Sequence, residues 1–541
     1  MPNRRTFSTS STKRLRTVFL LLAVCLSACS TSPRETLSPA EPTQPTAANN
    51  TLPPNSVDTT LANNVDHLID VSDLASARWG VSVIALKDNR RVYERNADKL
   101  FTPASNMKLF PTGVALELLG PDYRWRTSVY ASSLPDSTGT VNGDLVLYGR
   151  GAPDLVAVAH EDDQNSTSLE QLANDLYNRG VRRIRGSVIG DASYFRGEPL
   201  GDGWQWNDVQ WYFGAEASAL SINNNETSVN VLPAEKVGTP PEVRVGDTTG
   251  YLTVENKMVV GEAGERLTLG LERGLSNNVV RVWGTFPPGS KGFGARISVH
   301  QPSLWAAKLF LVALKTRGIA VDGQALTRDA QQPASQRFDP QRATEVAFLT
   351  SKPLREIIKI TNKFSVNLYA ELILRTIGRE RAALLSTPES TGRERGDDEA
   401  GLAVIKLWLG RSGVATNGLA LHDGSGLSRL NLVTPRTFSQ LLAALHSDPN
   451  GQIFKESLPL SGRDGTLGGR LHDYADRVSA KTGYLTYDTA LSGYVTNSQG
   501  EVFAFSILCN DETGRASSGR LIDQIVSLLA DYPNTNAEKQ P

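Results

Sequence analysis

Cysteine is almost missing from this chain. Of 541 residues only three are cysteine, and two of them, Cys25 and Cys29, fall near the N-terminus. Cys509 stands alone in the body, so no disulfide can form there, and no C-x-x-C metal pattern exists. It follows Phe503-Ala-Phe-Ser-Ile-Leu508, the setting of a small buried apolar residue. Histidine is scarce too. The six histidines never take the H-E-x-x-H spacing, which argues against a zinc hydrolase. A G-x-S-x-G elbow is also absent, which argues against the usual α/β-hydrolase layout. There is no long basic patch. The formal charge is −1, with Lys and Arg spread among acids, so nothing points to a nucleic-acid partner.

Charge is uneven only at the start. Met1 to Ala28 holds Arg4, Arg5, Lys13, Arg14 and Arg16 and no acid, so the rest of the chain carries about −6. This basic stretch precedes the apolar run Thr17–Leu26, which is too short to span a bilayer and fits the core of an export signal. Leu26-Ser-Ala-Cys29 closes it and resembles the bacterial lipobox, in which Cys29 is lipidated and becomes the mature N-terminus. The alternative is ordinary cleavage after a small residue, with Cys29 incidental. Arg4-Arg5 loosely resembles a twin-arginine signal but lies far from the apolar core. Ser30 to about Thr60 is rich in Pro, Thr, Ser and Asn and cannot bury enough surface to fold. Residues 1–28 therefore read as a signal peptide and 29–60 as a disordered tether.

Folded sequence is expected from about Leu61. Trp79–Leu86, a Lys87-Asp88-Asn89 turn and Arg91–Glu94 suggest a hairpin. Met107–Leu119 has helical patterning closed by Gly120-Pro121, with Pro111 predicting a local bend. From about Tyr123 to Glu345, strand-like runs such as Leu145–Tyr148, Val279–Trp283 and Val229–Val231 alternate with Gly, Pro, Asn and Asp turns. Helical patterning occurs there at Ser168–Arg179 and Ser303–Arg317. A helix is predicted to run from about Pro353 through Leu374. Arg379–Ala400 is charged and contains Gly and Ser, and reads as a mobile loop. Strands at Ala490–Val495 and Val502–Ile507 and a helix at Leu521–Ala530 end the pattern, as in an antiparallel sheet with a packing helix.

Three short motifs carry the chemistry. They are Ser105-Asn-Met-Lys108, Ser365-Val-Asn367 and Lys481-Thr-Gly483, in the order S-x-x-K, S-x-N and K-T-G. A serine hydroxyl is a weak nucleophile and needs a base. At i and i+3 on a helix, Ser105 and Lys108 share a face, so a neutral Lys108 amine could take the hydroxyl proton. Burial or another cation, such as Lys481, would favour that neutral amine. Ser365 could pass a proton to a leaving amine, and Asn367 could hold a substrate amide or orient Lys108. The charge of Lys481 suits a substrate carboxylate, with the Thr482 hydroxyl beside it. Gly483 allows close backbone approach. The amides of Ser105 and Tyr484 are candidates for an oxyanion hole. Each motif alone is more often a turn or a capped helix. His422-Asp-Gly-Ser-Gly426 holds tempting residue types, yet its glycines make it a turn before a triad fragment.

The wording around the motifs goes further. Phe101–Phe110, Asn362–Glu371, Asp423–Arg429, Asp464–Leu467 and Ser479–Gly483 closely resemble the D-alanyl-D-alanine carboxypeptidase/endopeptidase family of low-molecular-mass penicillin-binding proteins (class C, peptidase family S13). Tyr148–Leu155, Gly190–Phe195 and Gly203–Asp208 resemble that family's middle domains. The resemblance covers roughly Leu61 to Tyr532. It implies an α+β fold, in which a penicillin-recognising, β-lactamase-like domain of antiparallel sheet and helices is split by a nested, β-rich insertion of two domains. The expected segments are 61–122 and 346–532 for the catalytic domain, 123–345 for the insertion and 533–541 for a flexible tail. The resemblance also implies a serine D-alanyl-D-alanine carboxypeptidase, with endopeptidase activity, acting on peptidoglycan stem peptides and acylated by β-lactams. Ser105 would be the acylated residue, with Lys108, Ser365, Asn367 and Lys481 completing the site. No metal or organic cofactor is expected. Asp191 and Arg429 are candidates for reading charged ends of the stem peptide. The protein would be exported to the bacterial periplasm, and held at the membrane if Cys29 is lipidated.

Two features depart from the family pattern: a longer Arg379–Ala400 loop, and the tether with its lipobox. The competing readings are a secreted β-lactamase with the same motifs, which the large insertion disfavours, and a non-enzymatic penicillin-binding wall scaffold or sensor, which the intact motif residues disfavour.

Overall fold

The computed structural model describes residues 59–157, 167–333, 337–385, 396–513 and 517–533. The element that positions the site is a five-stranded antiparallel sheet. Its order across the sheet is Val478–Leu485, Asp488–Thr496, Val502–Asn510, Arg78–Ala85 and Arg90–Arg95. The strand Arg78–Ala85 thus pairs with one some 400 residues later, Trp79 lying opposite Cys509 and Val83 opposite Phe505, while Arg90–Arg95 pairs with Arg78–Ala85 on its other side. The predicted hairpin and the two predicted C-terminal strands are all in this sheet, each within a few residues of its expected ends.

These strands are buried along almost their whole length, so they read as apolar runs with helices on both faces. On one face Val81, Val83, Phe503, Phe505 and Ile507 pack with Leu61, Val65 and Ile69 of the helix Thr59–Asp70, and with Ile522, Ile525 and Leu529 of the helix Ser518–Asp531. On the other face lies the helix Pro435–His446. The Tyr494 hydroxyl donates to the Leu442 carbonyl at 2.8 Å, and the Ser82 and Ser439 hydroxyls meet at 2.8 Å. Cys509 is buried in the first of these cores, as its setting predicted, and burial pushes its thiol up to about 12.

Between Leu119 and Leu354 the chain builds other sheets. A second five-stranded sheet is mixed: 325–328, 188–191 and 145–148 run parallel, then 126–131 and 344–350 pair antiparallel. Its helices are Ser168–Asn178, opened by a Thr167/Glu170 capping box, and Pro302–Thr316. Among the described residues three three-stranded sheets complete this region: 226–231, 243–245 and 293–298; 253–259, 270–273 and 279–285; and the short strands 140–141, 183–184 and 320–321.

Three local expectations are corrected. Residues Ala104–Lys108 form a 3₁₀ turn, and the α-helix begins only at Leu109. Pro111 therefore sits in the first helical turn, where a missing N–H costs nothing, and no bend is required. The helix expected from Pro353 through Leu374 is two helices, Leu354–Lys363 and Asn367–Arg381, broken at Phe364-Ser365-Val366. The loop expected over 379–400 is helical at both ends. The first helix runs to Arg381 and another, Asp397–Arg411, begins on a buried Asp397 that accepts from the Arg196 guanidinium at 2.8 Å. Residues 386–395 lie outside the described residues, as do the signal peptide, nearly all of the tether and the tail of the sequence. Among the described residues no helix is long and apolar enough to cross a membrane.

Candidate active site

The site is the meeting point of two backbone irregularities and an edge strand. The 3₁₀ turn starts on Ala104 with φ of 47°, presenting Ser105 to a cleft and burying Lys108 behind it. The break between helices leaves Ser365 at φ of 57°, which brings it to the cleft wall just before Asn367 opens the next helix. The third wall is the edge strand Val478–Leu485. A Cβ on Gly483 would lie 2.8 Å from the Pro103 carbonyl oxygen, so only glycine lets this strand close against the Ser105 turn.

Lys108 is fully buried and makes three hydrogen bonds through its amine: 2.8 Å to Ser105 Oγ, 2.6 Å to Asn367 Oδ1 and 2.7 Å to the Ser425 carbonyl. Burial pulls its ammonium down to about 7, opposed by the charges of Asp423 and Glu371. A neutral amine has two N–H groups and one lone pair. Asn367 Oδ1 and the Ser425 carbonyl can only accept, so they take the two N–H groups, and the lone pair is left facing Ser105 Oγ. That is the disposition of a base poised to receive the serine proton. Asn367 is itself fixed, its Nδ2 donating to the Phe213 carbonyl at 2.8 Å.

Lys481 is equally buried. Its amine donates to Ser365 Oγ at 2.9 Å and to the Thr482 carbonyl at 2.8 Å. Burial first, and the Lys108 charge second, hold it well below the ordinary lysine range. Thr482 Oγ1 lies 2.7 Å from Thr466 Oγ1. Thr466 is placed by the Asp464–Leu467 segment, whose Asp464 is gripped by the Lys363 ammonium at 2.6 and 2.7 Å.

The cleft in front has a volume of about 910 Å³. Ser105, Ser365, Asn367, Arg429 and Tyr484 line it, together with Asp208, Tyr212, Glu226 and Arg296 from the chain between Leu119 and Leu354. Arg429 donates to Asp488 Oδ2 at 2.9 Å and to the Thr486 carbonyl at 3.0 Å. Tyr484 is among the most exposed apolar side chains of the fold. Asp191 does not join these residues. It is buried in the mixed sheet, accepting from the Ser193 backbone N–H and hydroxyl at 2.9 and 2.6 Å and from Arg328 at 3.2 Å. Its carboxylate serves that turn and faces no cleft residue named above. Cys29 lies outside the described residues.

Two features of the site escaped the motif reading. The Ser425 carbonyl comes from the Asp423–Gly426 turn, where a backbone atom acts and no side-chain pattern announces it. Asp208 closes the run Gly203-Trp-Gln-Trp-Asn-Asp208, an aromatic-rich stretch with an acid at its end, which was the available signal.

The model of the D-Ala-D-Ala carboxypeptidase 3 (S13) family matches residues 61–532. The D-alanyl-D-alanine carboxypeptidase of Actinomadura sp. (strain R39) is 36% identical over 492 residues, covering 88% of this chain and 86% of that protein. The D-alanyl-D-alanine carboxypeptidase DacB of Haemophilus influenzae is 27% identical over 453 residues, covering 81% and 87%. The crystal structure of penicillin binding protein 4 from Haemophilus influenzae superposes with a TM-score of 0.73 at 25% identity, covering 86% of this chain and 99% of that one.

The buried lysine sets a pH dependence. Protonated Lys108 cannot accept a proton, and its neutral fraction grows as pH rises through about 7. Covalent labelling by fluorescent penicillin should therefore rise with pH around a midpoint near 7. A rate that stays low until pH 10, the range of an ordinary lysine, would contradict Lys108 as the base.

Proposed function

Because this chain belongs to the D-Ala-D-Ala carboxypeptidase 3 (S13) family, we propose that it removes the terminal D-alanine from peptidoglycan stem peptides, and opens D,D-cross-links, through an acyl-enzyme on Ser105. The observation that carries the assignment of roles is the Lys108 amine, held by two obligate acceptors with its remaining position on Ser105 Oγ. Ser105 attacks the penultimate D-alanine carbonyl while Lys108 takes its proton. In this reading the backbone amides of Ser105 and Tyr484, two residues that line the cleft, stabilise the oxyanion. Ser365 gives its hydroxyl proton to the leaving amine and is refilled by the Lys481 ammonium bonded to it. Water then attacks the acyl carbonyl, its proton passes through Ser365 back to Lys481, and Lys108 returns its proton to Ser105 Oγ as the acyl group leaves. If the leaving amine belongs to a neighbouring stem peptide, the same steps cut a cross-link. A β-lactam enters by the same attack.

The cleft carries both signs of charge, Asp208 and Glu226 against Arg296 and Arg429, which suits a peptide with free amino and carboxyl groups. Arg429 keeps the reading role expected of it, and Asp208 takes the one expected of Asp191. In this reading the catalytic domain expected over residues 61–122 and 346–532 encloses 123–345; the strand 344–350 pairs with 126–131 in the mixed sheet, which moves the second boundary to about 350. The central sheet drawing strands from both segments supports it.

Incubation with purified muropeptides should release D-alanine, seen by mass analysis of the products, and fluorescent penicillin should label the protein covalently. Ser105→Ala should lose both. Ser425→Ala should keep both, because the carbonyl of Ser425 acts and its hydroxyl only bonds Asp423 and the Leu427 amide. Labelling that survives Ser105→Ala would sink the assignment.

Lys481 has a second task, binding the free carboxylate of a D-alanine-terminated substrate together with Thr482, the incoming negative charge favouring the protonated form that burial alone disfavours. A charge-assisted contact is worth roughly 1.5–3 kcal/mol, or on the order of 10- to 150-fold in kcat/KM if realised in the transition state. Lys481→Ala should cut turnover of free-carboxylate peptides more than that of ester or amide analogues. Equal losses, with the pH profile moved upward, would instead make Lys481 a tuner of Lys108.

The same reading places the enzyme outside the cytoplasm, in the periplasm, tethered by a lipid on Cys29. Mass spectrometry of the mature protein should find a diacylglyceryl-modified Cys29 at its N-terminus, and Cys29→Ser should leave the membrane fraction or fail to be processed. A mature chain starting elsewhere would reject the anchor.

A further inference from the structure

Behind Lys108 lies a carboxyl group that the mechanism above does not use. Glu371 is one turn beyond Asn367 on the helix Asn367–Arg381, so the two share a face. It is 1% exposed. Its Oε1 accepts the backbone N–H groups of Gly424 at 3.0 Å and Ser425 at 2.8 Å, and its Oε2 has no partner among the described residues. The peptide unit that follows the Ser425 amide presents the carbonyl that takes an N–H from Lys108.

The turn bearing that carbonyl has little room of its own. A Cβ on Gly424 would come within 2.9 Å of the Ala370 carbonyl oxygen, and one on Gly426 within 1.8 Å of the Ala104 carbonyl oxygen. The Asp423–Gly426 turn is therefore a wedge between the Ser105 segment and the Asn367 helix. Asp423 holds the far side of the wedge. Its two oxygens accept from the Gly426 and Ser428 amides, Asn431, the Ser425 hydroxyl and the Trp204 indole, all at 2.7–3.0 Å. Glu371 supplies the near side, where the Lys108 amine sits.

We propose that Glu371 is a positioning residue for acylation: by fastening the Gly424 and Ser425 amides it aims the Ser425 carbonyl at Lys108 and so keeps the Lys108 lone pair on Ser105. This rests on the Ser105 reading above. The groups that face Glu371 are Lys108 from the 3₁₀ turn, Asp423 from the wedge and Arg375 from its own helix. Burial, then the Asp423 charge, raises its carboxyl to about 8, with Arg375 opposing. Near pH 7 it is thus largely a neutral acid whose acceptor oxygen does the work, and a glutamine can replace it. When ionised, its negative charge favours protonated Lys108.

The test compares Glu371→Leu and Glu371→Gln with wild type in the second-order rate of penicillin acylation, across pH 5.5–9. Thr376→Val, which removes a buried hydroxyl bonded to Trp125 on the same helix, serves as the stability control. Glu371→Leu should lose on the order of 100-fold, as a misaligned base does. Glu371→Gln should restore most of the rate, with its rise with pH no higher than wild type, because a charge that favoured the protonated base is gone. The control should acylate like wild type even if its melting temperature falls. Should Leu prove unfolded, the Gln variant decides alone: a folded Gln enzyme as slow as a misaligned base, or with its profile moved to higher pH, overturns the proposal. A Leu variant acylating at the wild-type rate overturns it too. A wild-type protein that fails to acylate at Ser105 would instead bring down the Ser105 reading itself.

Discussion

Two lysine amines buried behind different walls of one cleft are the constraint around which this site is organised. Taking an ammonium group out of water is expensive, and a lysine so placed relieves the cost by losing its proton. Lys108 and Lys481 have no salt-bridging carboxylate among the described residues, and neighbouring hydroxyl, amide and carbonyl oxygens take their hydrogen bonds instead. Neutral oxygens satisfy the N–H groups without restoring the charge. The two carboxylates nearby, Glu371 and Asp423, are turned toward backbone amides of the wedge and temper the Lys108 shift from a distance.

Holding amines in this way demands that backbone come close to backbone. Gly483 lets the edge strand reach the Ser105 turn, and Gly424 and Gly426 let the wedge slide between that turn and the Asn367 helix. The break at Ser365 serves the same end. An unbroken helix from Leu354 to Arg381 could not present Ser365 and Asn367 to two different lysines, as the kinked chain does. The antiparallel sheet behind supplies the rigid frame. Its edge strand carries Lys481, and its central strands clamp the N-terminal and C-terminal parts of the fold together.

What could be read in advance follows from where the information lies. Side chains with distinctive chemistry and short spacing, such as Ser105 with Lys108, were legible because one helical turn relates them. So were the apolar strands, since burial leaves its mark on every residue. Long-range contacts were not. Nothing local says that Ser425 contributes a carbonyl to a lysine more than 300 residues earlier, or that Asp191 is spent on Arg328 while Asp208 faces the cleft. The helix break at Ser365 was missed because the apolar pattern runs through it on both sides. A positive φ at a serine is imposed by tertiary packing, against local preference. Glu371 is legible from its i+4 relation to Asn367, one turn past the motif on the same helix face.

The central claim is that Lys108 is a neutral base near physiological pH because the fold keeps it dry. Its titration can be watched directly by NMR in enzyme carrying ¹³C-labelled lysine side chains, with the resonance assigned by its loss in Lys108→Arg. The account predicts a lysine signal that titrates near pH 7, far from the bulk of the surface lysines. A Lys108 signal that stays protonated until about pH 10, where ordinary lysines titrate, would contradict it.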